Sequence, residues 1–451
     1  MSKERLVVIG GDAAGMSAAS QARRRRPDLE IVAFERSPHT SYSACSIPYY
    51  VGGLIDEADR LVARTPRAFR ERYDIDVRTL HEAVEVDLDR RRVRVHKVGE
   101  SRMWWEPFDQ LLIATGALPV VPDVPGADAE GIFAVSTLQS GIQIRQAVDE
   151  RRPQRAVIVG GGYVGLEMAE ALRRRGAEVA LVDMMPQVMN TLDADMAARV
   201  ADALREEGVD LYLEEPLLGF DTAEGRVRGV VTEQRTLPAD VAILGMGVRP
   251  NAGLAAEAGL DLGERGSIVV NERMQTAGEG VWAAGDCAQS FHLVSRRPTY
   301  VALGTVANKQ GRVAGTNIGG GYATFPGVVG TAITKFYDLE IARTGLQQRE
   351  VSELGRPCET ATIESHTRLP FMPGAGKIAV KLLVERGSGR LLGGQIVGAQ
   401  GSAKRIDVIA VALHAGMTAE ELIDLDLGYA PPYSPVWDPV AIAARQVSKR
   451  V

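Results

Sequence analysis

Cysteine is scarce in this chain of 451 residues, which contains only Cys45, Cys287 and Cys358. The three lie far apart and lack the spacing of metal ligands, so neither a cysteine-rich metal site nor a disulfide framework is expected. The sequence enters a predicted strand by Leu6, without the pattern of a signal peptide. Sparse thiols of this kind suit a reducing compartment, and we expect a cytoplasmic protein.

Long apolar runs are also missing. None approaches the ~20 residues that a membrane span needs, so no membrane partner is expected. The net charge of -6 provides no global attraction to nucleic acid, and no nucleic-acid partner is expected. Glycine, in contrast, is abundant with 48 residues, which indicates many tight turns. A chain of this length predicts about three domains of ~150 residues.

The N-terminal segment has the pattern of a dinucleotide-binding unit. The apolar run 6–9 ends in Gly10-Gly11-Asp12-Ala13-Ala14-Gly15, a helix is predicted from Met16 to Arg26, and the strand 30–34 ends in Glu35. The glycines let the backbone approach a pyrophosphate at the helix N-terminus, and Glu35 is predicted to accept hydrogen bonds from an adenosine ribose. Asp12 stands where such turns usually have their middle glycine.

A second unit repeats this order with a complete fingerprint. The run 156–159 leads into Gly160-Gly161-Gly162-Tyr163-Val164-Gly165, a helix is predicted to about Arg175, and the strand 178–182 ends at Asp183. A carboxylate there favours a free ribose 2′-hydroxyl and repels a 2′-phosphate. Because methionines and no arginine follow, we predict NADH rather than NADPH as the second nucleotide.

The remaining segments complete an α/β fold with two Rossmann-like dinucleotide-binding domains and a C-terminal α+β domain. From Pro326 the chain changes character, with strands near 378–380 and 391–394 and helices near 403–414 and 419–424. The predicted division is a first segment 1–118 of the first dinucleotide-binding domain, a linker 119–150, an NADH-binding domain 151–251, a second segment 252–325 of the first domain and the C-terminal domain 326–451.

The stretch from Ser41 to Tyr50 contains Cys45, flanked by small hydroxyl residues and followed by Pro48. Proline suits the first turn of a helix, and a thiol just before that turn faces the positive end of the helix dipole. This predicts a thiolate that is nucleophilic near neutral pH. The alternative is a buried and inert cysteine. Two dinucleotide fingerprints in the same chain favour the reactive interpretation.

The two glycine turns, with the segments 114–116, 245–251 and 284–286, resemble those of the FAD- and pyridine-nucleotide-dependent disulfide oxidoreductases over essentially the whole chain. Within that superfamily, the segments 41–50, 307–312 and 429–433 are most similar to the single-cysteine branch, and there to coenzyme A disulfide reductases. The same branch contains NADH oxidases, NADH peroxidases and persulfide reductases.

The resemblance implies that the first dinucleotide-binding domain, 1–118 with 252–325, binds FAD, that 326–451 is a dimerisation domain, and that electrons pass along a relay in a homodimer. Hydride from NADH would pass to FAD, which would reduce a sulfur species at Cys45 on the other face of the flavin ring. Cys45 would attack CoA disulfide, release one CoA and hold the other as a mixed disulfide. No second cysteine lies near Cys45 in the sequence, so the partner sulfur would come from this small-molecule disulfide substrate unless Cys287 or Cys358 folds close.

The resemblance also assigns residues by position. The catalytic residues would be Cys45 and Tyr429. FAD would contact Gly10, Asp12, Ala14, Gly15, Glu35, Thr115, Gly116 and Asp286. NADH would contact Gly160, Gly162, Tyr163, Gly165, Asp183 and Gly247, with Glu167 near the nicotinamide. The wider cofactor set adds Gly11, Ala13, Arg36, Val84, Gly161, Val164 and Gly304. Coenzyme A would contact Ser17, Gln21, Arg24, Ser41 and Phe371, although Arg24 also fits a solvated helix end.

Some positions depart from the family pattern. Phe371 replaces a tyrosine that often reaches the partner subunit's active site, and it lacks a hydroxyl donor. Trp437 replaces a lysine that would suit a CoA phosphate. These changes favour an alternative, an NADH oxidase or a quinone or dye reductase. Ala13 replaces the histidine usual in peroxide-reducing relatives, and a rhodanese domain has no room after Val451. A redox sensor is a third hypothesis, disfavoured by the intact second turn.

Overall fold

The computed structural model describes residues 3–451; Met1 and Ser2, where the first predicted segment begins, lie outside the described residues. The helices are α1 Ala13–Arg25, α2 Ile47–Val51, α3 Pro66–Tyr73, α4 Leu138–Arg151, α5 Tyr163–Arg174, α6 Ala194–Glu206, α7 Gly253–Glu257, α8 Gly304–Ile318, α9 Gln348–Glu353, α10 Ile406–Ala415, α11 Ala419–Ile423 and α12 Pro439–Ser448. Short 3₁₀ turns lie at Ala44–Ser46, Ala58–Leu61, Glu264–Gly266 and Ala403–Arg405.

The strands of the N-terminal part are β1 Arg5–Ile9, β2 Glu30–Glu35, β3 Asp76–Thr79, β4 His81–Asp87, β5 Arg92–Lys97, β6 Met103–Pro107, β7 Gln110–Ile113, β8 Ala117–Pro119 and β9 Ile132–Ala134. The middle strands are β10 Arg155–Val159, β11 Glu178–Val182, β12 Val209–Tyr212, β13 Leu217–Ala223, β14 Arg226–Thr232, β15 Thr236–Pro238, β16 Val241–Leu244 and β17 Val248–Pro250. The later strands are β18 Val281–Ala283, β19 Ser290–His292, β20 Arg297–Thr299, β21 Ala332–Phe336, β22 Leu339–Gly345, β23 Cys358–His366, β24 Lys377–Glu385 and β25 Leu391–Gly398.

The first sheet is parallel, with the order β18-β7-β1-β2-β3. Its inner strands β1, β2 and β7 carry apolar runs because both faces of the sheet are covered there, and β1 is buried from Leu6 to Ile9. Helix α1 packs closely on α8, where a Cβ at Gly311 would come within 2.3 Å of the Ala14 carbonyl oxygen. Gly311 therefore allows α8, which follows the second unit in the chain, to pack directly against α1.

The second sheet repeats this architecture with the parallel order β12-β11-β10-β16-β9. Its edge strand β9, together with α4, lies inside 119–150, the segment predicted as a linker. The sequence pattern missed β9 because three residues carry too little periodicity. Helix α4 packs on α2 next to Cys45, so this segment connects the second sheet to the reactive loop.

The C-terminal sheet is antiparallel, with the order β21-β22-β25-β24-β23. Helix α12 packs on β23 and β24, and α10 packs on β22 and β25. Helix α6 of the second unit also contacts this sheet, where the Lys381 ammonium lies 3.0 Å from the Asp193 carboxylate and 2.6 Å from that of Asp195. Lys381 is 3% exposed, so this ion cluster is an internal link between the second unit and the C-terminal sheet.

The predicted α/β class with an α+β C-terminal part is confirmed. Helix α1 begins three residues before the predicted Met16, and the C-terminal strands are longer than the short cores predicted for them. Strand β6 and the hairpin β13–β14 were not predicted. No helix in the range 3–451 is long and apolar enough to cross a bilayer.

Candidate active site

The first glycine turn joins β1 to α1 at the carboxyl edge of the first sheet. Gly10 has φ +108°, and a Cβ there would come within 2.1 Å of the Ala114 carbonyl oxygen. A Cβ at Gly15 would come within 2.0 Å of the Gly10 carbonyl oxygen. Both contacts require glycine. Glu35 closes the turn, because one carboxylate oxygen accepts the Gly11 N–H at 2.9 Å and the other the Ser37 N–H at 2.8 Å.

The second turn has the same construction at the edge of the second sheet. Gly160 has φ +106°, and a Cβ at Gly165 would come within 1.9 Å of the Gly160 carbonyl oxygen. The Asp183 carboxylate accepts the N–H groups of Gly161 at 2.7 Å and Met185 at 2.8 Å. Both acids predicted to meet an adenosine ribose are therefore fixed by backbone donors, at the edge where α/β sheets bind dinucleotides.

Asp286, which follows β18, has a buried carboxylate oxygen Oδ1 without a hydrogen-bond partner among the described residues. Burial raises the pKa of this carboxyl group to about 6. An orphan acceptor beside the first glycine turn fits the hydroxyl-rich chain of a flavin dinucleotide. The neighbouring segments are clasped together, since the Thr115 hydroxyl donates to the Asn251 carbonyl at 2.6 Å. Gly116, with φ +70°, has open space above its Cα.

The other predicted cofactor residues lie in or after the two turns or at a helix start, except for Val84, which lies in the separate antiparallel sheet β4-β5-β6. Ala13 and Ala14 begin α1, and Val164 is the second residue of α5. The Tyr163 hydroxyl accepts a hydrogen bond from Thr191 at 3.3 Å. The remaining predicted positions are Gly11 behind Glu35, Arg36 at 4.0 Å from Glu82, Val84 at the bulge of β4, and Gly162, Gly247 and Gly304 with open space above Cα.

Cys45 is exposed in the 3₁₀ turn that precedes α2, and Pro48 lies in the first turn of that helix as predicted. Its exposure excludes the alternative of a buried, inert cysteine. The predicted thiolate stabilisation is wrong, however. Neighbouring residues partly desolvate the thiol and thereby raise its pKa, and the carboxylates of Glu167, Asp286 and Asp12 raise it further. Helix α2 has only five residues, too few for a dipole that would offset these effects.

The other two cysteines do not form a disulfide with Cys45. All three are free thiols. Cys287 is fully buried, and its thiol donates to the carbonyl oxygens of Ile113 at 3.5 Å and Ala284 at 3.4 Å. Cys358 begins β23 in the C-terminal sheet.

Two adjacent residues of β21 in the C-terminal sheet bind side chains of helix α5. The Thr334 hydroxyl donates to Glu167 at 2.8 Å, and the Lys335 ammonium lies 2.7 Å from Glu170. The same ammonium stands 5.7 Å from the ring centre of Tyr49 in α2. Burial raises the pKa of Glu167, and the adjacent Glu170 adds to the effect. Sequence reasoning missed Thr334 and Lys335, since no local motif signals a contact across more than 160 residues.

Three of the predicted CoA-binding residues share one face of α1, because Ser17, Gln21 and Arg24 are spaced at i, i+4 and i+7. The Ser17 hydroxyl donates to Asn308 at 2.7 Å, and the Gln21 amide donates to Thr316 at 3.1 Å. Arg24 is exposed and donates to Gln21 at 3.4 Å. Asn308 thus joins this polar face, although the sequence analysis did not assign it a contact.

The predicted residues of the C-terminal part lie on the surface. Phe371 is 77% exposed, Tyr429 47% and Trp437 48%. The Arg445 guanidinium stacks 4.5 Å from the Trp437 ring centre. Ser41, the last predicted CoA contact, lies instead beside the first glycine turn, because its N–H donates to the Gly11 carbonyl at 3.1 Å.

Comparisons with known proteins agree with this architecture. A family model described as pyridine nucleotide-disulphide oxidoreductase matches residues 4–311, and the model of the dimerisation domain of these proteins matches residues 331–440. The chain is similar to the NAD(P)H sulfur oxidoreductase (CoA-dependent) of Pyrococcus abyssi, with 40% identity over 444 residues and 98% of each chain covered. It is also similar to an NADH oxidase of Methanocaldococcus jannaschii, with 36% identity over 449 residues and 99% of each chain covered.

A solved structure gives the same picture. The NAD-dependent persulfide reductase from A. fulgidus superposes with a TM-score of 0.96 and 40% sequence identity. The match covers 99% of this chain and 83% of that chain.

Proposed function

The chain belongs to the pyridine nucleotide-disulphide oxidoreductase family, and from this premise we propose that it uses FAD to pass electrons from NADH to a coenzyme A disulfide or persulfide at Cys45. The observation that carries the proposal is the exposed, unpaired thiol of Cys45, whose pKa is raised by the charges of Glu167 of the second unit and Asp286 of the first. The CoA dependence in the name of the Pyrococcus abyssi relative supports the substrate class.

The residues at the edge of the first sheet fit FAD. When bound, FAD supplies the hydride-accepting chemistry that protein side chains lack. The free N–H groups at the start of α1 would bind its pyrophosphate, since Gly10 and Gly15 keep the turn open to a close approach. The orphan oxygen of Asp286 would accept a hydroxyl group of the bound cofactor. Asp183 would bind the ribose of NADH at the second turn.

Cys45 would act as the nucleophile. Its thiolate attacks one sulfur of the CoA disulfide, a Cys45–CoA disulfide forms, and the other CoA leaves as a thiolate that takes up a proton. The hydride equivalent of NADH, which is two electrons with one proton, and one further proton from solvent then cleave this mixed disulfide into the Cys45 thiol and the second CoA thiol. Because the pKa of Cys45 is raised, the attacking thiolate is a minor species near neutral pH.

We further propose a homodimer in which the exposed aromatic residues of the C-terminal part are covered by a second copy. The match to the dimerisation-domain model and the exposure of Phe371, Tyr429, Tyr433 and Trp437 support this arrangement. Tyr429 would then contribute its hydroxyl to the active site of the partner. The reduced state of the three thiols suits a cytoplasmic location.

Transfer of electrons to oxygen or a quinone is the second candidate function. Its supporting observations are the 36% identity to a protein named NADH oxidase and the chemistry of two residues. Phe371 has no hydroxyl to donate to a sulfur anion, and Trp437 has no charge for a CoA phosphate.

Turnover with matched acceptors tests the proposal. NADH oxidation is measured with CoA disulfide, CoA persulfide, oxygen and a naphthoquinone, in the native protein, Cys45→Ser and the control Cys358→Ser. We expect the CoA substrates to be fastest, Cys45→Ser to lose that activity, and Cys358→Ser to retain it. Equal CoA turnover in Cys45→Ser would overturn the role of the thiol, and oxygen or quinone turnover above that with CoA would favour the second candidate.

Mass spectrometry of the isolated protein provides an independent readout. A CoA-mass adduct on the Cys45 peptide, removable by a reducing agent, would identify the substrate class directly. Absence of the adduct after incubation with CoA disulfide would contradict the proposal.

A further inference from the structure

Asp12 does not do what an aspartate at its position usually does. It occupies the N-cap of α1, where a carboxylate normally accepts an N–H from the first turn of the helix. In the chain described from residue 3 to residue 451, its side chain makes no capping bond. Thr65, at the N-cap of α3, does cap in the usual way by accepting the Ala68 N–H at 3.2 Å. The Asp12 carboxylate instead accepts the Tyr42 N–H at 3.2 Å.

This bond anchors the loop that carries Cys45. Tyr42 lies three residues before Cys45, and the preceding residues are fixed to the same glycine turn. The Ser41 N–H donates to the Gly11 carbonyl at 3.1 Å, and the Thr40 hydroxyl donates to the same oxygen. Ser41 has φ +50°, a left-handed conformation that is unfavourable for serine unless its surroundings hold it.

The far side of the loop is fixed by backbone bonds alone. The Ser43 N–H donates to the Leu61 carbonyl at 2.9 Å, and the Ala63 N–H donates to the Ser41 carbonyl at 2.7 Å. The loop is thus held between the glycine turn and the segment 61–63. Among the anchors described here, the one made by Asp12 is the one whose charge changes with pH.

Several ionisable groups surround Asp12. Glu35 faces it from β2, Asp286 from the segment after β18, and Tyr42 and Cys45 from the anchored loop. Burial raises the pKa of Asp12 to about 6, and the charges of Glu35 and Asp286 contribute in the same direction, while the hydrogen bond from Tyr42 opposes them. Asp12 is therefore largely ionised at pH 7 and above, and neutral in mild acid.

We propose that Asp12 is a positioning residue for Cys45: its carboxylate ties the reactive loop to the first glycine turn and places a negative charge on the loop at Tyr42, three residues before the thiol. A glycine at this position, as in a standard turn, would provide neither effect. The charge adds to the effects of desolvation, Glu167 and Asp286, which also favour the protonated thiol, and the hydrogen bond keeps the loop in place. The inference rests on the proposed function only in taking Cys45 as the reacting thiol.

Two variants separate the charge from the hydrogen bond. Asp12→Asn keeps a carbonyl oxygen for the Tyr42 N–H and removes the charge, whereas Asp12→Ala removes both. The matched control is Asp89→Asn, which makes the same change from carboxylate to carboxamide. Asp89 is exposed in the turn between β4 and β5. Alkylation of Cys45 by iodoacetamide is followed in the holoenzyme from pH 5 to 9 by mass spectrometry of its peptide, and exchange of the Tyr42 amide is followed by hydrogen–deuterium exchange.

We expect Asp12→Asn to be alkylated about three to ten times faster than the native protein at pH 8. At a fixed pH, lowering the pKa of the thiol by one unit gives about tenfold more thiolate. The two profiles should converge below about pH 6, where the native Asp12 is also neutral. Tyr42 exchange should stay slow in Asp12→Asn and accelerate at least tenfold in Asp12→Ala. Asp89→Asn should match the native protein in both measurements.

Identical alkylation profiles for Asp12→Asn and the native protein would overturn the role of the charge. Unchanged Tyr42 exchange in Asp12→Ala would overturn the role of the anchor. Bound flavin absorbance and circular dichroism check that each variant is folded and loaded. Alkylation needs no CoA substrate, so it tests the role of Asp12 separately from the proposed function. If the proposed function is wrong, the turnover assay fails while the alkylation result still stands.

Discussion

Replacing Asp183 by Ser together with Met184 by Arg is expected to reverse the nucleotide preference from NADH to NADPH. The Asp183 carboxylate is fixed by two backbone N–H groups, from Gly161 and Met185, so it cannot turn away from a nucleotide at this edge. Met184 is 64% exposed and can be replaced by a long side chain without disturbing the core.

The magnitude follows from charge-assisted hydrogen bonds. Such a bond to the ribose contributes about 1.5–3 kcal/mol, so loss of the carboxylate should weaken NADH by about 10- to 100-fold. A new guanidinium–phosphate pair should strengthen NADPH by a similar factor. The ratio of kcat/KM for the two nucleotides should therefore change by about 10² to 10⁴.

Initial rates with each nucleotide and one fixed acceptor measure this ratio. Asp210→Ser, which removes an exposed carboxylate from the neighbouring strand β12, is the matched control and should keep the native ratio. The reasoning would be refuted by a native protein that uses NADPH as well as NADH, or by a double variant whose ratio is unchanged while its flavin content and unfolding midpoint are normal.

Three further predictions concern stability, the second turn and the thiol. Lys381→Met should lower the free energy of unfolding by about 3–5 kcal/mol, because Asp193 is left buried without its cation, and denaturant titration measures this loss. Gly165→Ala should abolish NADH binding in fluorescence titration, while Gly253→Ala, which meets open space, leaves it unchanged. Because the pKa of Cys45 is raised, its alkylation rate should still be climbing at about pH 9, and a plateau below pH 8 would contradict this.

The local parts of the site were predictable from the sequence. Each glycine turn is a short contiguous pattern whose conformation leaves no room for a Cβ, as at Gly10 and Gly160. The acid that closes each turn comes at the end of the next strand, so Glu35 and Asp183 could be located by spacing alone. The family resemblance carried by these motifs is confirmed by the matched family models.

The non-local parts could not be predicted. Thr334 and Glu167 are joined across 167 residues, and Lys381 and Asp195 across 186, so no periodicity or spacing signals either contact. The ionisation of Cys45 was predicted in the wrong direction for a related reason. The helix that follows it is visible in the sequence, whereas the desolvation of the thiol and the charges of Glu167 and Asp286 arise only in the tertiary fold.

The two glycine turns also provide an internal comparison that sequence motifs alone do not. They have nearly the same φ at their first glycine and the same carboxylate closure, yet the first turn has Asp12 where the second has Gly162. Gly162 meets open space within 4 Å, so nothing is tied to the second turn at that position. Asp12 binds the loop that carries Cys45. On this shared framework, one side chain therefore ties the Cys45 loop to the first turn, and the glycine at the corresponding position of the second turn has no side chain to make such a tie.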